Sequence, residues 1–335
     1  MSIDNQRRSH RDTLSPRARI ATGPDRWFDQ GMGLNVTVTG AAGFIGSHIV
    51  DGLLAAGHSV RGVDNLSFGS MQNLHAAARH PNFRFLELDL KDPAHCLAAC
   101  NGAHAVLHHA ARVGVPDSIR DPDASRRDTL HTTVNLLGAA RDSGVERFVL
   151  ASTAAVYGDA ACPVREDAPL KPLSPYGEHK LAAEKALAAS GLPGVALRYF
   201  NVYGPRQSAA SPYAGVITRF AARVRRGEEL TVYGDGQQRR DFLHVSDVVA
   251  ANLAVLKASR LPPAINIGSG AGVSLLQLVQ HLGELAGVTP QVRYQPARPG
   301  DIRDSWADTT LAGSLLGFRA RKPLHDGLHE LLEAQ

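Results

Sequence analysis

Tyr176 and Lys180 bracket the run Tyr-Gly-Glu-His-Lys, four residues apart. Four residues carry a helix through one turn and about 40°, so a phenol and an ammonium would share one face. A free tyrosine, with a pKa of about 10, is a poor base at neutral pH, but an adjacent cation stabilises its phenolate. Lys180 would supply that charge. Such a pair also arises by chance in many helices, so its meaning depends on what surrounds it.

Far upstream lies the glycine turn Gly40-Ala41-Ala42-Gly43-Phe44-Ile45-Gly46. The β-branched run Leu34 to Thr39 before it reads as a buried parallel strand, and Ser47 to Ala56 after it has helical spacing. Gly40 permits a tight exit from the strand, Gly43 lets backbone approach a pyrophosphate, and Gly46 allows the helix to pack on the sheet. The first helical amides, around Phe44 and Ile45, would face phosphates. A second strand, His58 to Val63, ends in Asp64, where a ribose presents its hydroxyls. An acid there favours NAD over a 2′-phosphorylated cofactor, and Asn65, Leu66 and Ser67 bring no arginine. Asp89, after the strand-like Phe83 to Leu88, is a similar candidate for the adenine edge. The nicotinamide ring of a bound NAD would accept hydride beside Tyr176.

The 335 residues are 44% hydrophobic with a formal net charge of +4, enough to bury one large or two moderate cores. No dense Lys/Arg run is interleaved with aromatics, so a nucleic-acid groove is not expected. Cys96, Cys100 and Cys162 form no disulfide framework and no Cys-x-x-Cys pair, which fits a reducing cytosol. His108 and His109 are adjacent and point to opposite faces of a strand, which disfavours a shared metal. Residues 1–33 are polar, carry six arginines and four aspartates, and lack an apolar stretch long enough for a signal peptide or membrane span. They read as a leader, with Met32 a second candidate start.

Strands alternate with helices from Leu34 to Phe200, the later strands being Ala105 to His109, Arg147 to Ala151 and Val195 to Tyr199. Helices are expected near Ser125 to Asp142 and Pro175 to Ser190. This is the pattern of a doubly wound parallel α/β sheet, which binds ligands at the carboxyl ends of its strands. Gly40, Asp64, His109, Thr153 and Asn201 fall at or just past such ends. Further on, a helix is expected from Val216 to Arg226, a strand and glycine turn from Thr231 to Gly236, and a returning helix and strand at Asp247 to Leu256 and Ala264 to Ile267.

Taken in order, Gly40 to Gly46, Asp64-Asn65, His108 to Ala111, Ser152 to Gly158, Tyr176 to Lys180, Arg198 to Gly204, Arg239 to Val245 and Arg298 to Asp308 resemble the extended short-chain dehydrogenase/reductase superfamily. Within it the chain is most similar to nucleotide-sugar 4-epimerases of the UDP-glucose 4-epimerase type, from Asn35 to about Leu331. The resemblance implies a Rossmann domain over 34–200, rejoined by 241–270, and a smaller interleaved nucleotide-sugar domain over 201–240 and 271–335. It makes Tyr176 the acid-base residue, Lys180 the holder of the nicotinamide ribose, and Thr153 the hydroxyl that bonds the sugar O4. Ser152 is the lesser candidate, and the sequence leaves open which hydroxyl points inward. Contacts to NAD are implied for Gly40, Gly43, Phe44, Ile45, Gly46, Asp64, Asn65, Asp89, Leu90, Ala110 and Tyr199, besides Tyr176 and Lys180.

By the same resemblance, Tyr176 takes the C4 hydroxyl proton as hydride leaves for NAD. A 4-keto sugar rotates, and hydride and proton return to the opposite face. Substrate contacts are implied at Ser152, Asn201, Val216, Tyr233, Arg240, Arg298, Asp301 and Ser305; Arg206 and Arg239 are even between ligand and surface roles. A homodimer through a four-helix bundle, a cytoplasmic location and a part in polysaccharide precursor synthesis are implied likewise.

Ala154 and Ala155 replace the acid pair of the related 4,6-dehydratases, and alanine moves no proton. The residue before Trp306-Ala307-Asp308 is a bulky tyrosine in some members restricted to UDP-glucose and UDP-galactose; here it is Ser305, leaving room for an N-acetyl group. The expected reaction is therefore interconversion of UDP-GlcNAc and UDP-GalNAc, with or without the unacetylated pair. Two alternatives stand: a UDP-glucuronate 4-epimerase with Arg112 near C6, and a catalytically silent NAD-binding protein of this fold.

Overall fold

A computed structural model describes residues 33–207, 215–297 and 301–334. The sequence-predicted leader lies outside them apart from Gly33. The first six strands of the main sheet are β1 (Asn35–Thr39), β2 (Ser59–Asp64), β3 (Phe83–Glu87), β4 (Ala105–His108), β5 (Arg147–Thr153) and β6 (Gly194–Tyr199). With Ala264–Ile267 they form one seven-stranded sheet in the order Ala264–Ile267, β6, β5, β4, β1, β2, β3. Every pairing in it is parallel, with Thr39 opposite Val63 and His108, and Thr153 opposite Tyr199. The strand order reverses direction between β1 and β4, the crevice where a doubly wound sheet takes its ligand.

Both faces of the sheet are apolar because both are covered. Val149 and Ala151 of β5 pack toward helices Phe44–Ala55 and Val245–Lys257, through Ile49, Leu53, Val248 and Val255. Phe148 and Leu150 alternate to the other face, against helices Pro93–Cys100, Thr132–Asp142 and Pro175–Ala189 through Cys96, Leu136, Ala183 and Leu187. Each such fully buried side chain contributes about 2 kcal/mol of transfer free energy.

One helix departs from expectation. The segment predicted as a single helix from Ser125 to Asp142 is instead Pro122–Arg126, a wide π-type turn over Arg127–His131, and Thr132–Asp142. Asp121 caps the first piece by accepting the Ala124 amide, and Pro122 starts it. The hydroxyls of Thr132 and Thr133 then bond back to the carbonyls of Asp128 and Thr129, a competition that bends helices.

A second core gathers where the chain leaves the sheet. Helices Val216–Arg225, Leu275–Ala286 and Leu324–Ala334 cover the parallel pair Leu230–Tyr233 and Val292–Gln295, burying Phe220, Leu230, Leu278, Leu282 and Leu331. The seam between the cores runs through Asp241, which is fully buried. Its carboxylate accepts from the Ser269 amide at 2.7 Å, the Ser269 hydroxyl at 2.6 Å, the Gly270 amide at 3.0 Å and the Ala307 amide at 3.1 Å. Burial pushes its pKa up while these donors pull it down.

His108 is buried differently, as a neutral ring. Thr133 donates its hydroxyl proton to Thr129, so it can only accept from His108 Nε2 at 3.0 Å, which leaves Nδ1 to accept from Thr39 at 2.7 Å. Burial pushes its pKa down to about 3. Unfolded, the ring titrates at its ordinary value of 6.5, so the stability it contributes is intact above that pH. As pH falls from there toward 3, stability should drop by up to about 1.4 kcal/mol per pH unit. Thermal unfolding of His108→Gln against pH should show a shallower acid slope than the parent.

Two glycines separate steric from conformational need. A Cβ on Gly46 would sit 2.0 Å from the Gly40 carbonyl oxygen, whereas one on Gly57, at φ +82°, would meet nothing within 4 Å. Gly46→Ala should cost about 3 kcal/mol by forcing helix from strand, and Gly57→Ala about 1 kcal/mol. Equal losses in denaturant titrations would refute the steric reading of Gly46.

Candidate active site

The carboxyl ends of β1, β2, β4 and β5 open onto a cavity of about 510 Å³. Gly40 begins it. Its φ of +67° turns the chain out of β1, and a side chain there would strike the Ala110 amide at 2.7 Å. Gly43, Phe44, Ile45 and Gly46 continue the rim into the first turn of helix Phe44–Ala55, whose unpaired amides favour anionic groups. At Gly43 the backbone is ordinary, with φ −76°, and a Cβ there would lie 3.1 Å from the Gly40 carbonyl oxygen.

Asp64 ends β2 on the cavity wall. One oxygen accepts from the Ala42 amide at 3.0 Å and the other from Leu66 at 2.8 Å, so the carboxylate also fastens the glycine turn. Burial raises its pKa against those bonds. Asn65, Asp89, Leu90, Ala110 and Tyr199 line the same space. For Asp89, burial works upward, but the Lys91 amide and ammonium outweigh it and hold the carboxyl below its usual range. The loop Ser67 to Ser70 and Asn73 also line it, and no periodic signal marked them.

The opposite wall carries the chemistry. Ser174 caps helix Pro175–Ala189 by accepting the Gly177 amide, and Pro175 opens it. Gly177 lies so close to the Ala155 carbonyl that a Cβ would sit 2.8 Å away. That contact brings Tyr176 against Thr153, and the two hydroxyls are hydrogen-bonded. Thr153 also accepts the Ala155 amide at 3.2 Å. Ser152, one residue earlier, is among the residues lining the cavity and donates its hydroxyl to Glu184, whereas Thr153 interacts with Tyr176 without lining the cavity.

Lys180 is 4% exposed and donates to the Ala151 carbonyl at 2.7 Å. Burial lowers its pKa to about 8, with Glu184 pulling upward. The sequence suggested that Lys180 would depress the Tyr176 pKa, yet in this structure the phenol is pushed up. Burial dominates, and the Thr153 hydrogen bond opposes it only in part. Beside them His109 stacks on Tyr199, with 3.1 Å between Nε2 and the hydroxyl. Asn252 donates to that hydroxyl at 2.9 Å, so Tyr199 donates onward to a neutral His109.

Of the remaining candidates, Arg112 and Arg206 line the cavity, whereas Asn201, Val216, Tyr233, Arg240, Asp301 and Ser305 do not. Strand Arg239–Arg240 places Arg240 opposite Ser305 and Val273, and Asp301 acts electrostatically on Arg240. Asn201 follows β6 and lies opposite Phe242, next to the same segment. Val216 opens its helix, and Tyr233 ends its strand opposite Gln295. Arg298 lies outside the described residues. Arg240 already donates to the carbonyls of Arg239, Arg303 and Ile302, so it braces this segment as well as facing it. Arg239 stacks over Trp306 and pairs with Asp304, and Arg206 pairs with Asp51. Arg112 is claimed by Asp117 and Asp128. The described residues hold no group of three or more potential metal ligands and no helix long and apolar enough to cross a membrane.

These residues fit NAD: a glycine turn for the pyrophosphate, an acid at the ribose position, and Tyr176 and Lys180 across the gap. Residues 36–268 match the NAD dependent epimerase/dehydratase family. A UDP-glucose 4-epimerase of Mycolicibacterium smegmatis is 36% identical over 90% of this chain and 98% of its own length. The structure of a UDP-N-acetylglucosamine 4-epimerase from Methanobrevibacter ruminantium, in complex with UDP-N-acetylmuramic acid, superposes with a TM-score of 0.86 at 34% identity, covering 91% of this chain and 98% of that one. A UDP-glucuronic acid 4-epimerase from Bacillus cereus, with UDP-glucuronic acid and NAD, does so at 0.83 and 31%, covering 90% and 98%. The chain therefore belongs to the NAD-dependent epimerase/dehydratase family of the extended short-chain dehydrogenase/reductases, among the UDP-sugar 4-epimerases.

Proposed function

We propose that this epimerase interconverts UDP-GlcNAc and UDP-GalNAc, and UDP-Glc and UDP-Gal with them. The observation that carries the substrate choice is Ser305, a small side chain on the strand Asp304–Ser305 that pairs with Arg240. A short hydroxymethyl leaves room beside C2 where a tyrosine would fill it, and exclusion by size needs only one side chain. Arg112 argues against a uronic acid, because two carboxylates already claim the cation that would meet C6.

NAD supplies a hydride acceptor and, when oxidised, a positive ring. Tyr176 is the proton carrier at the C4 hydroxyl. In a buried site its neutral phenol is favoured, so it gives a proton readily and needs positive charge nearby to take one. Lys180, with a pKa near 8, is mostly ammonium at pH 7 and supplies part of that charge from the Ala151 edge of the sheet. Thr153 orients the phenol and the sugar hydroxyl together, since one hydroxyl both donates and accepts. Asn201, Val216, Tyr233, Arg240, Arg298 and Asp301 hold the nucleotide while the hexose turns. The residues 201–240 and 271–335 form the nucleotide-sugar side of the cleft, and 34–200 with 241–270 the NAD side. A cytoplasmic homodimer through helices Thr132–Asp142 and Pro175–Ala189 completes the reading, supported by the exposure of Val134 on the first of them.

Proton NMR of the protein with UDP-GlcNAc, UDP-Glc and UDP-GlcA in separate tubes should show the anomeric signals of UDP-GalNAc and UDP-Gal. A galacturonate signal alone would overturn the substrate assignment, and no product in any tube would overturn the activity. Tyr176→Phe should lower kcat by about 10²-fold or more while retaining NAD, as loss of a general acid-base group does. Ser305→Tyr should reduce turnover of UDP-GalNAc at least about tenfold and spare UDP-Gal; unchanged UDP-GalNAc turnover would show that the gate lies elsewhere.

A further inference from the structure

Tyr176, Lys180 and Glu184 are spaced four residues apart on helix Pro175–Ala189, so successive side chains lie one turn on and about 40° round. Tyr176 and Lys180 line the cavity; Glu184, 9% exposed, has turned into the sheet. There two neighbouring residues of β5 receive two neighbouring turns of the helix. The Ala151 carbonyl takes the Lys180 ammonium, and the Ser152 hydroxyl donates to Glu184. Arg198 of β6 closes the other side of the carboxylate with bonds of 2.7, 3.1 and 3.3 Å. Its remaining nitrogen reaches the Tyr157 hydroxyl at 2.8 Å and the Glu166 carbonyl at 3.1 Å.

From this geometry we infer that Glu184 is a positioning residue for the reaction: pinned by Ser152 of β5 and Arg198 of β6, it fixes the helix turn next to Lys180 on the strand whose Ala151 carbonyl receives the ammonium. The charge matters because Lys180 has little water around it. The Lys180 charge acts on His108, the last residue of β4, and on His109 just beyond it, both neutral at working pH with pKa values near 3. On its own helix Tyr176 is a neutral phenol, so the opposite charge acting on Lys180 is Glu184. Arg198 holds that carboxylate in place with three hydrogen bonds. A plain structural pair would be indifferent to the lysine beyond, and the two roles separate by experiment.

Glu184→Gln and Arg198→Met each break the buried pair, and both should lower the thermal midpoint, since removing one partner leaves an uncompensated group. They should act oppositely on Lys180. The chain has six lysines, few enough for a 13C-lysine NMR titration of the full-length protein, with the Lys180 signal identified by its loss in Lys180→Arg. In Glu184→Gln the Lys180 midpoint should fall by about one pH unit, and in Arg198→Met it should hold or rise. The alkaline limb of kcat should follow. An unmoved midpoint in Glu184→Gln, or a fall in both variants alike, would overturn the inference and leave a structural pair only. Should Glu184→Gln fail to fold, Glu184→Asp withdraws the charge by one methylene; a midpoint unchanged there would overturn it equally. The inference rests on Lys180 as the cation of the site, but its readout is titration. A chain inactive on every UDP-sugar would sink the proposed reaction without deciding this one.

Discussion

After Tyr199, and again after Ile267, the chain leaves the main sheet to build the second core, and one buried carboxylate keeps both excursions in register. One oxygen of Asp241 accepts from the Ser269 amide and hydroxyl, the other from the Gly270 and Ala307 amides. Its own amide donates to the Ser305 carbonyl, and its carbonyl accepts the Asn201 amide. Residues separated by about a hundred positions are thus fixed around one side chain, and Arg240 and Ser305 owe their places to it. An ionised carboxylate with four donors tolerates burial that a bare one would not.

The two halves of the site are held by different physics. On the cofactor side the constraint is closeness of backbone: Gly40 and Gly46 are sites where a methyl group would displace a strand or helix. On the reactive side it is a chain of buried polar contacts running from Tyr157 through Arg198, Glu184 and Ser152. Such a network rigidifies only if every member is satisfied. Here the gain is a tyrosine and a lysine presented to one cavity by a helix that is itself anchored to two strands.

The sheet and the cofactor wall were readable because their signals are local. A β-branched run, a glycine turn and a helical repeat sit side by side in Leu34 to Ala56, and every residue assigned to the cofactor lines the cavity. The strand end expected at Val63 falls one residue short of Asp64, which lines the crevice, while β5 runs two residues past the expected Ala151 to Thr153. What escaped depends on contacts distant in sequence. Nothing in the string of letters says that Ser152 turns to Glu184 while Thr153 turns to Tyr176, although Glu184 in a run of alanine and leucine was a visible irregularity. The wide turn at Arg127–His131 escaped too, since it follows from threonine hydroxyls competing for carbonyls rather than from the apolar repeat. Arg112 shows the same dependence: the sequence offers a cation, and the fold pairs it with Asp117 and Asp128.

The helix that carries Tyr176, Lys180 and Glu184 has no freedom of phase. A single residue inserted between the phenol and the carboxylate would rotate one against the other by about 100°, carrying either the acid into the cavity or the phenol away from it. Loss or gain of residues is therefore confined to the loops that leave this helix, while its interior can change only letter by letter. Sequence drift in this segment is channelled into substitution, and descendants of this chain should differ in what occupies the helix but not in how many residues separate its three polar anchors.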